Sequence, residues 1–221
     1  MRRAYIDPHV GLPDSFRLAR RWARDAGQVT IVGPSTSAIE ESPFLTSSGL
    51  PIGTTGNRHS RFAAQPRTGT VIAWCLHLDE VLELEERAEL DGLVLVRGYK
   101  AHAPWITAHA ADLLGGDPVA AIPEASAAIK KMVKGISMLP VLNQGLTDSR
   151  ERSTAVQALT FMRDRGHLLV PEQLAVEAIR NEWPGPSPLE LADLAKQLNA
   201  GKRLRYQERL NPAAMAAWAS A

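Results

Sequence analysis

Residues 70–75 and 92–96 are near-continuous runs of apolar and β-branched side chains, and the stretch between them sets Val81, Leu82, Leu84, Ala88 and Leu90 among acidic residues at helical spacing. Strands that lack in-out alternation are those with both faces covered, which is the condition of a parallel sheet. An amphipathic helix joining two such strands makes a βαβ unit, and its crossover is right-handed by chain sterics. This one unit commits the first half of the chain to an α/β layer architecture.

The neighbouring residues extend the pattern. Residues 4–6 read as a first strand closed by Asp7 and Pro8. A helix from Asp14 follows, with Leu18, Ala19, Trp22, Ala23 and Ala26 on its apolar face and Gly27 as its stop. Residues 28–32 give a second strand, and Gly33-Pro34 turns into a short helix for which Ser37 and Glu40 have capping-box spacing. A brief strand is expected at 51–54, a polar loop over 53–69, and a helix over 104–114 stopped by Gly115-Gly116. The sum is an open, mostly parallel, Rossmann-like α/β sheet.

Beyond Pro123 the strand signals cease and helices are expected throughout. They fall at 125–133, from Asp148 or Ser149 to Arg165, from Pro171 to about Asn181, from Ser187-Pro188-Leu189-Glu190 to Gly201, and from Asn211-Pro212 onward. The expected organisation is an α/β domain at 1–116, a linker at 117–123 and an all-helical domain at 124–221. Charge follows this division. Residues 1–123 carry 12 basic and 14 acidic groups, and residues 124–221 carry 13 and 10.

Composition narrows the function classes. With 45% hydrophobic and 22% charged residues the chain is of ordinary globular type. Its apolar runs fall far short of the roughly 20 residues that cross a bilayer. Asp7, Pro8 and His9 stand where a leader's apolar core would be, so a cytoplasmic protein without membrane contact is expected. A single cysteine excludes an intramolecular disulfide and a cysteine-based zinc site.

Three groups of residues carry candidate chemistry. At the carboxyl ends of the strands, Ser35, Thr36 and Ser37 open a helix, and Thr54, Thr55, Asn57 and Arg58 lie in the polar loop. Free backbone N–H groups, hydroxyls and a guanidinium there suit an anion such as a phosphate. Cys75, His77 and Asp79 are the right types for a nucleophile, base and orienting acid, but burial at a strand end is the ordinary role of such a cysteine. His102 and His109 lack a third metal ligand. The third group is cationic. Arg17, Arg20, Arg21 and Arg24 recur at i, i+3, i+4 and i+7, a continuous stripe on one helix. Lys202, Arg203, Arg205 and Arg209 surround Tyr206, a composition that meets phosphates and stacked bases.

Two resemblances add to this. The alternation over 29–37 and 70–79 resembles the RecA-type lobe of helicases, but no Walker lysine or arginine finger has a counterpart, so ATPase activity is not implied. The segment Gly69-Thr70-Val71-Ile72-Ala73-Trp74, the segment Asn143-Gln144-Gly145-Leu146-Thr147-Asp148, the turn Arg165-Gly166-His167, and the runs Asn181-Glu182-Trp183 and Asn199-Ala200-Gly201-Lys202-Arg203 are similar to an uncharacterised actinobacterial protein family. That resemblance implies no activity.

The residues together point to a non-catalytic binding protein that contacts nucleic acid or a protein partner through its arginine surfaces. A ligand-binding enzyme or sensor for a phosphorylated small molecule or nucleotide at the sheet edge, and a structural subunit of an assembly, are the alternatives. No cofactor is implied, and the oligomeric state is left open.

Overall fold

The computed structural model describes residues 1–55, 66–139, 146 and 148–220. The chain divides into two compact units, Met1–Ala121 and Ile122–Ala221.

The first unit is built on one six-stranded parallel sheet. Strands β1 (Arg2–Ile6), β2 (Val29–Gly33), β3 (Ile52–Thr54), β4 (Thr68–Trp74), β5 (Glu89–Val96) and β6 (Asp112–Leu113) stand in the order β3-β2-β4-β5-β1-β6. The register pairs Tyr5 with Leu95, Leu95 with Ala73, and Ala73 with Val32. Side chains therefore alternate between two buried faces, as the apolar runs require.

On one face Ile6, Ile31, Ile72, Trp74, Val94 and Val96 meet Phe16 and Ala19 of α1 (Leu12–Trp22), Ile39 of α2 (Thr36–Glu40) and Leu45 of α3 (Pro43–Thr46). Phe16 and Phe44 both lie edge-on to the Trp74 ring, at 6.2 and 5.7 Å. Such pairs add about 0.5–1.5 kcal/mol to the burial of the rings. The other face carries α4 (Leu78–Arg87) and α5 (Ala103–His109), as right-handed crossovers in the opposite direction demand. Arg3 of β1 and Trp105 of α5 both reach Glu85 of α4 there, at 2.9 and 3.0 Å.

The second unit holds α6 (Ala127–Ser137), α7 (Ser149–Asp164), α8 (Pro171–Arg180), α9 (Ser187–Asn199) and α10 (Pro212–Ala219). Ile129, Met132, Leu159, Met162, Leu174, Leu191, Leu194 and Met215 share its core. Asp148 caps α7 by accepting from the backbone N–H of Arg150 and Glu151, and Asn211 caps α10 through the N–H of Ala213. Proline enters the first turn of α8, where its missing donor costs nothing. No helix among the described residues is long and apolar enough to cross a membrane.

The α/β sheet followed by helices is the architecture expected, but several local features differ. Helix α1 ends at Trp22, so Arg24 sits in the turn beyond it. The cap of α2 is Ser35 rather than Ser37, its Oγ accepting from Ala38 N–H. Helix α5 ends at His109 because Ala110 adopts a left-handed conformation (φ 47°), which frees Asp112 and Leu113 to pair with Ala4 and Tyr5 as an unforeseen edge strand. Pro186, not Ser187, precedes α9, and the Ser187 hydroxyl instead accepts from Leu146 N–H. Helix α6 runs on through Gly135 to Ser137, past its expected end at residue 133.

Candidate functional site

The carboxyl edge of the sheet draws together the turn after β2 and the loop after β3. Thr55 N–H donates to Gly33 O at 3.0 Å, and its hydroxyl also reaches Pro34 O at 3.5 Å. The donors of this edge are largely engaged with one another. Ser35 Oγ serves the cap and lies 3.0 Å from Ser37 Oγ, and Thr36 is likewise held by other groups of the protein. Thr55 Oγ1 bonds the Glu80 carboxylate, whose other oxygen takes the His77 N–H at 2.8 Å. Thr54 Oγ1 is buried without a hydrogen-bond partner. Asn57 and Arg58 lie outside the described residues. A cavity of about 580 Å³ opens beside Thr54 and Thr55, with Arg67, Arg87, Glu80 and Glu83 on its walls. Cations and carboxylates are mixed there, so this cavity has no single sign to offer an anion.

Nearer the middle of the sheet, two residues depart from ordinary backbone geometry. Cys75 after β4 and Arg97 after β5 have φ of 54° and 62°, the left-handed region that costs a non-glycine residue about 1–2 kcal/mol. Cys75 N–H donates to Val96 O at 3.3 Å, so the two lie on adjacent chains. Burial pushes the Cys75 thiol up, against a smaller pull downward from the Arg97 charge. A thiol raised in this way is a poor nucleophile at neutral pH.

His102 and His109 are both structural in their surroundings. His102 Nδ1 accepts from Tyr99 N–H, and Nε2 then carries the proton toward Leu76 O, each at 3.0 Å. This ties the chain after β5 to the chain after β4. Burial holds His102 below its usual range. His109 packs edge-on to Trp105. Among the described residues no group of histidine, cysteine and carboxylate side chains is arranged to hold a metal ion.

The cationic stripe of α1 is presented outward. Phe16 and Ala19 point into the core, which leaves Arg17, Arg20 and Arg21 exposed on the other side of the same helix. They and Arg24 border a groove of about 640 Å³ floored by Phe16, Val29 and Leu50. Arg17 is paired with Asp14. Arg20, Arg21 and Arg24 have no acidic partner among the described residues.

The second basic segment is not helical. Residues 202–209 run as a strap without regular secondary structure, its end held beside α7 by side chains of that helix. Gln157 Oε1 accepts from Arg209 N–H and Leu210 N–H at 2.8 and 2.9 Å, and Ser153 Oγ accepts from Gln207 N–H at 2.6 Å. Lys202, Arg203, Arg205 and Arg209 are exposed, and Tyr206 is 40% exposed. A groove of about 730 Å³ lies between strap and helix, with Tyr206, Arg209, Phe161 and Arg165 among its walls. The Arg165 guanidinium lies over the Phe161 ring at 4.9 Å. Gln157 and Ser153 are the residues that pattern reading missed, since each looks like an ordinary polar helix position.

Fold and surface together define an α/β parallel-sheet unit joined in sequence to a helical unit with exposed cationic segments in each. Residues 125–219 match the model of a domain of unknown function, DUF1889. That match takes in nearly all of the helical unit and agrees with the expected likeness to an uncharacterised family. No curated protein and no solved structure matches the chain.

Proposed function

We propose that the protein is a binding protein whose partner is a nucleic acid, engaged by the guanidinium groups of Arg17, Arg20, Arg21 and Arg24. The observation that carries this reading is the absence of acidic partners for Arg20, Arg21 and Arg24 among the described residues, at the rim of a groove of about 640 Å³. Exposed arginines are commonly quenched by neighbouring carboxylates, and Arg17 with Asp14 is such a pair. Arginines left open at i, i+1 and i+4 keep their full charge for an external polyanion. On α1 residues one turn apart, such as Arg17 and Arg21, sit about 5–6 Å from each other, and Arg24 follows in the turn beyond the helix, so one backbone can meet several of them. Guanidinium groups also grip phosphate through paired N–H donors.

The strap of the helical unit supports the same reading by composition. It presents Lys202, Arg203 and Arg205 with Tyr206, cations interleaved with a flat ring on which a base can stack. The test is fluorescence anisotropy of a labelled oligonucleotide at low salt. Saturable binding is expected, and Arg20→Glu with Arg21→Glu weakens it at least about tenfold, or roughly 1.4 kcal/mol. Affinity unchanged by the double charge reversal contradicts the reading.

A further inference from the structure

We infer that Arg97 is the centre of a second site, a pocket for a small oxyanion, carboxylate or phosphate, at the carboxyl edge of the sheet. The inference stands apart from the nucleic-acid reading and rests on different residues. Its first support is an unmet donor. Arg97 Nε is buried without a hydrogen-bond partner, and Nη1 finds the Tyr99 hydroxyl at 3.4 Å, the limit of a useful contact. A buried polar group left unpaired costs about 1–3 kcal/mol, more when it is charged.

Elsewhere in this chain partly buried guanidinium groups are satisfied. Arg3 donates to Glu85 at 2.9 Å, and Arg180 donates to Glu177 at 2.8 Å and to Glu124 at 2.9 Å. Arg97 has no carboxylate paired with it among the described residues. The neighbouring acid, Asp7, already accepts from His9 N–H through its Oδ1 at 2.7 Å. What is missing at Arg97 is an acceptor of the kind its siblings have.

The second support is place. The chain leaves β1 toward the α1 face of the sheet and leaves β5 toward the α5 face, so the two connections part where Arg97 lies. Ligands of open parallel sheets bind at such a parting. The third is conformation. Arg97 holds φ at 62° although Gly98, which would adopt that geometry without strain, is the next residue. The strain fixes the direction in which the guanidinium leaves the backbone, and strained residues of this sort concentrate at ligand sites.

The test follows the Arg97 Nε–Hε resonance by NMR while inorganic phosphate and malonate are added in separate arms. A saturable shift is expected, shared by the amides of Gly98 and Cys75, and the arm that saturates at lower concentration assigns the ligand as phosphate or carboxylate. Arg97→Gly and Arg97→Asn both suit a left-handed position, so each keeps the wild-type melting temperature and weakens the response in the shared amides at least tenfold. Arg21→Glu leaves the response unchanged, which separates this site from the stripe on α1. Linear, unsaturable shifts in both arms overturn the inference, as does a saturable response that survives in both Arg97 variants.

Discussion

The Glu85 carboxylate on α4 accepts the indole Nε1 hydrogen of Trp105 on α5 at 3.0 Å. Its other oxygen takes Arg3 Nε at 2.9 Å, so one half-buried acid joins α4, α5 and β1. His109 Nε2 stands 3.9 Å from the same carboxylate, without a hydrogen-bond partner.

That setting predicts acid sensitivity. Burial, with the charge of Arg3 adding to it, lowers the His109 pKa to about 4. An unfolded histidine titrates at about 6.5. Between those values the unfolded chain binds the extra proton, so stability falls as pH drops through the window. Melting temperatures from pH 7 to 4 should decline, and His109→Gln should flatten the decline. An identical profile in the variant counts against the assignment.

Gly135 predicts a reversal of the usual helix rule. Glycine to alanine inside a helix ordinarily gains about 1 kcal/mol. Here a Cβ would stand 2.5 Å from the Trp218 ring of α10. Gly135→Ala should therefore cost about 1–3 kcal/mol by overpacking. Made in a Trp218→Ala background, the same change should become neutral or stabilising. Urea unfolding of the four chains measures this, and a stabilised single variant refutes the contact.

Gln157 should govern the strap. Its Oε1 satisfies two backbone N–H groups, those of Arg209 and Leu210. Gln157→Leu keeps the bulk but leaves both donors unpaired, at about 1–3 kcal/mol each if they stay buried. The strap is expected to loosen, with faster tryptic cleavage after Lys202, Arg203 and Arg205. Cleavage at the wild-type rate would show that the strap is held by other contacts.

The parallel sheet was readable because its strands need apolar residues on both faces, and residues 70–75 and 92–96 state that need without help from distant contacts. Features that depend on remote partners were not readable. Ser187 has the local form of a cap, yet its hydroxyl is taken by Leu146 N–H, 41 residues away in sequence. Strand β6 is two exposed residues whose pairing depends on the left-handed Ala110, a conformation that alanine does not advertise. In the candidate sites, the α1 stripe was legible from helical spacing alone. Arg97 was not, since the adjacent glycine masks which residue takes the unusual backbone. The pairing of Thr55 with Glu80 was equally hidden, because it joins the loop after β3 to the first turn of α4, 25 residues away in sequence.

The salt dependence of oligonucleotide binding tests the central claim most directly. Each phosphate neutralised on single-stranded nucleic acid contributes a slope of about −0.7 to the logarithm of affinity against the logarithm of salt. Anisotropy titrations over a range of salt should give the intact chain a steep negative slope. Arg20→Glu with Arg21→Glu should make it shallower by roughly one to two such increments. A flat dependence, or the same slope in both proteins, would contradict recognition of nucleic acid by the α1 arginines.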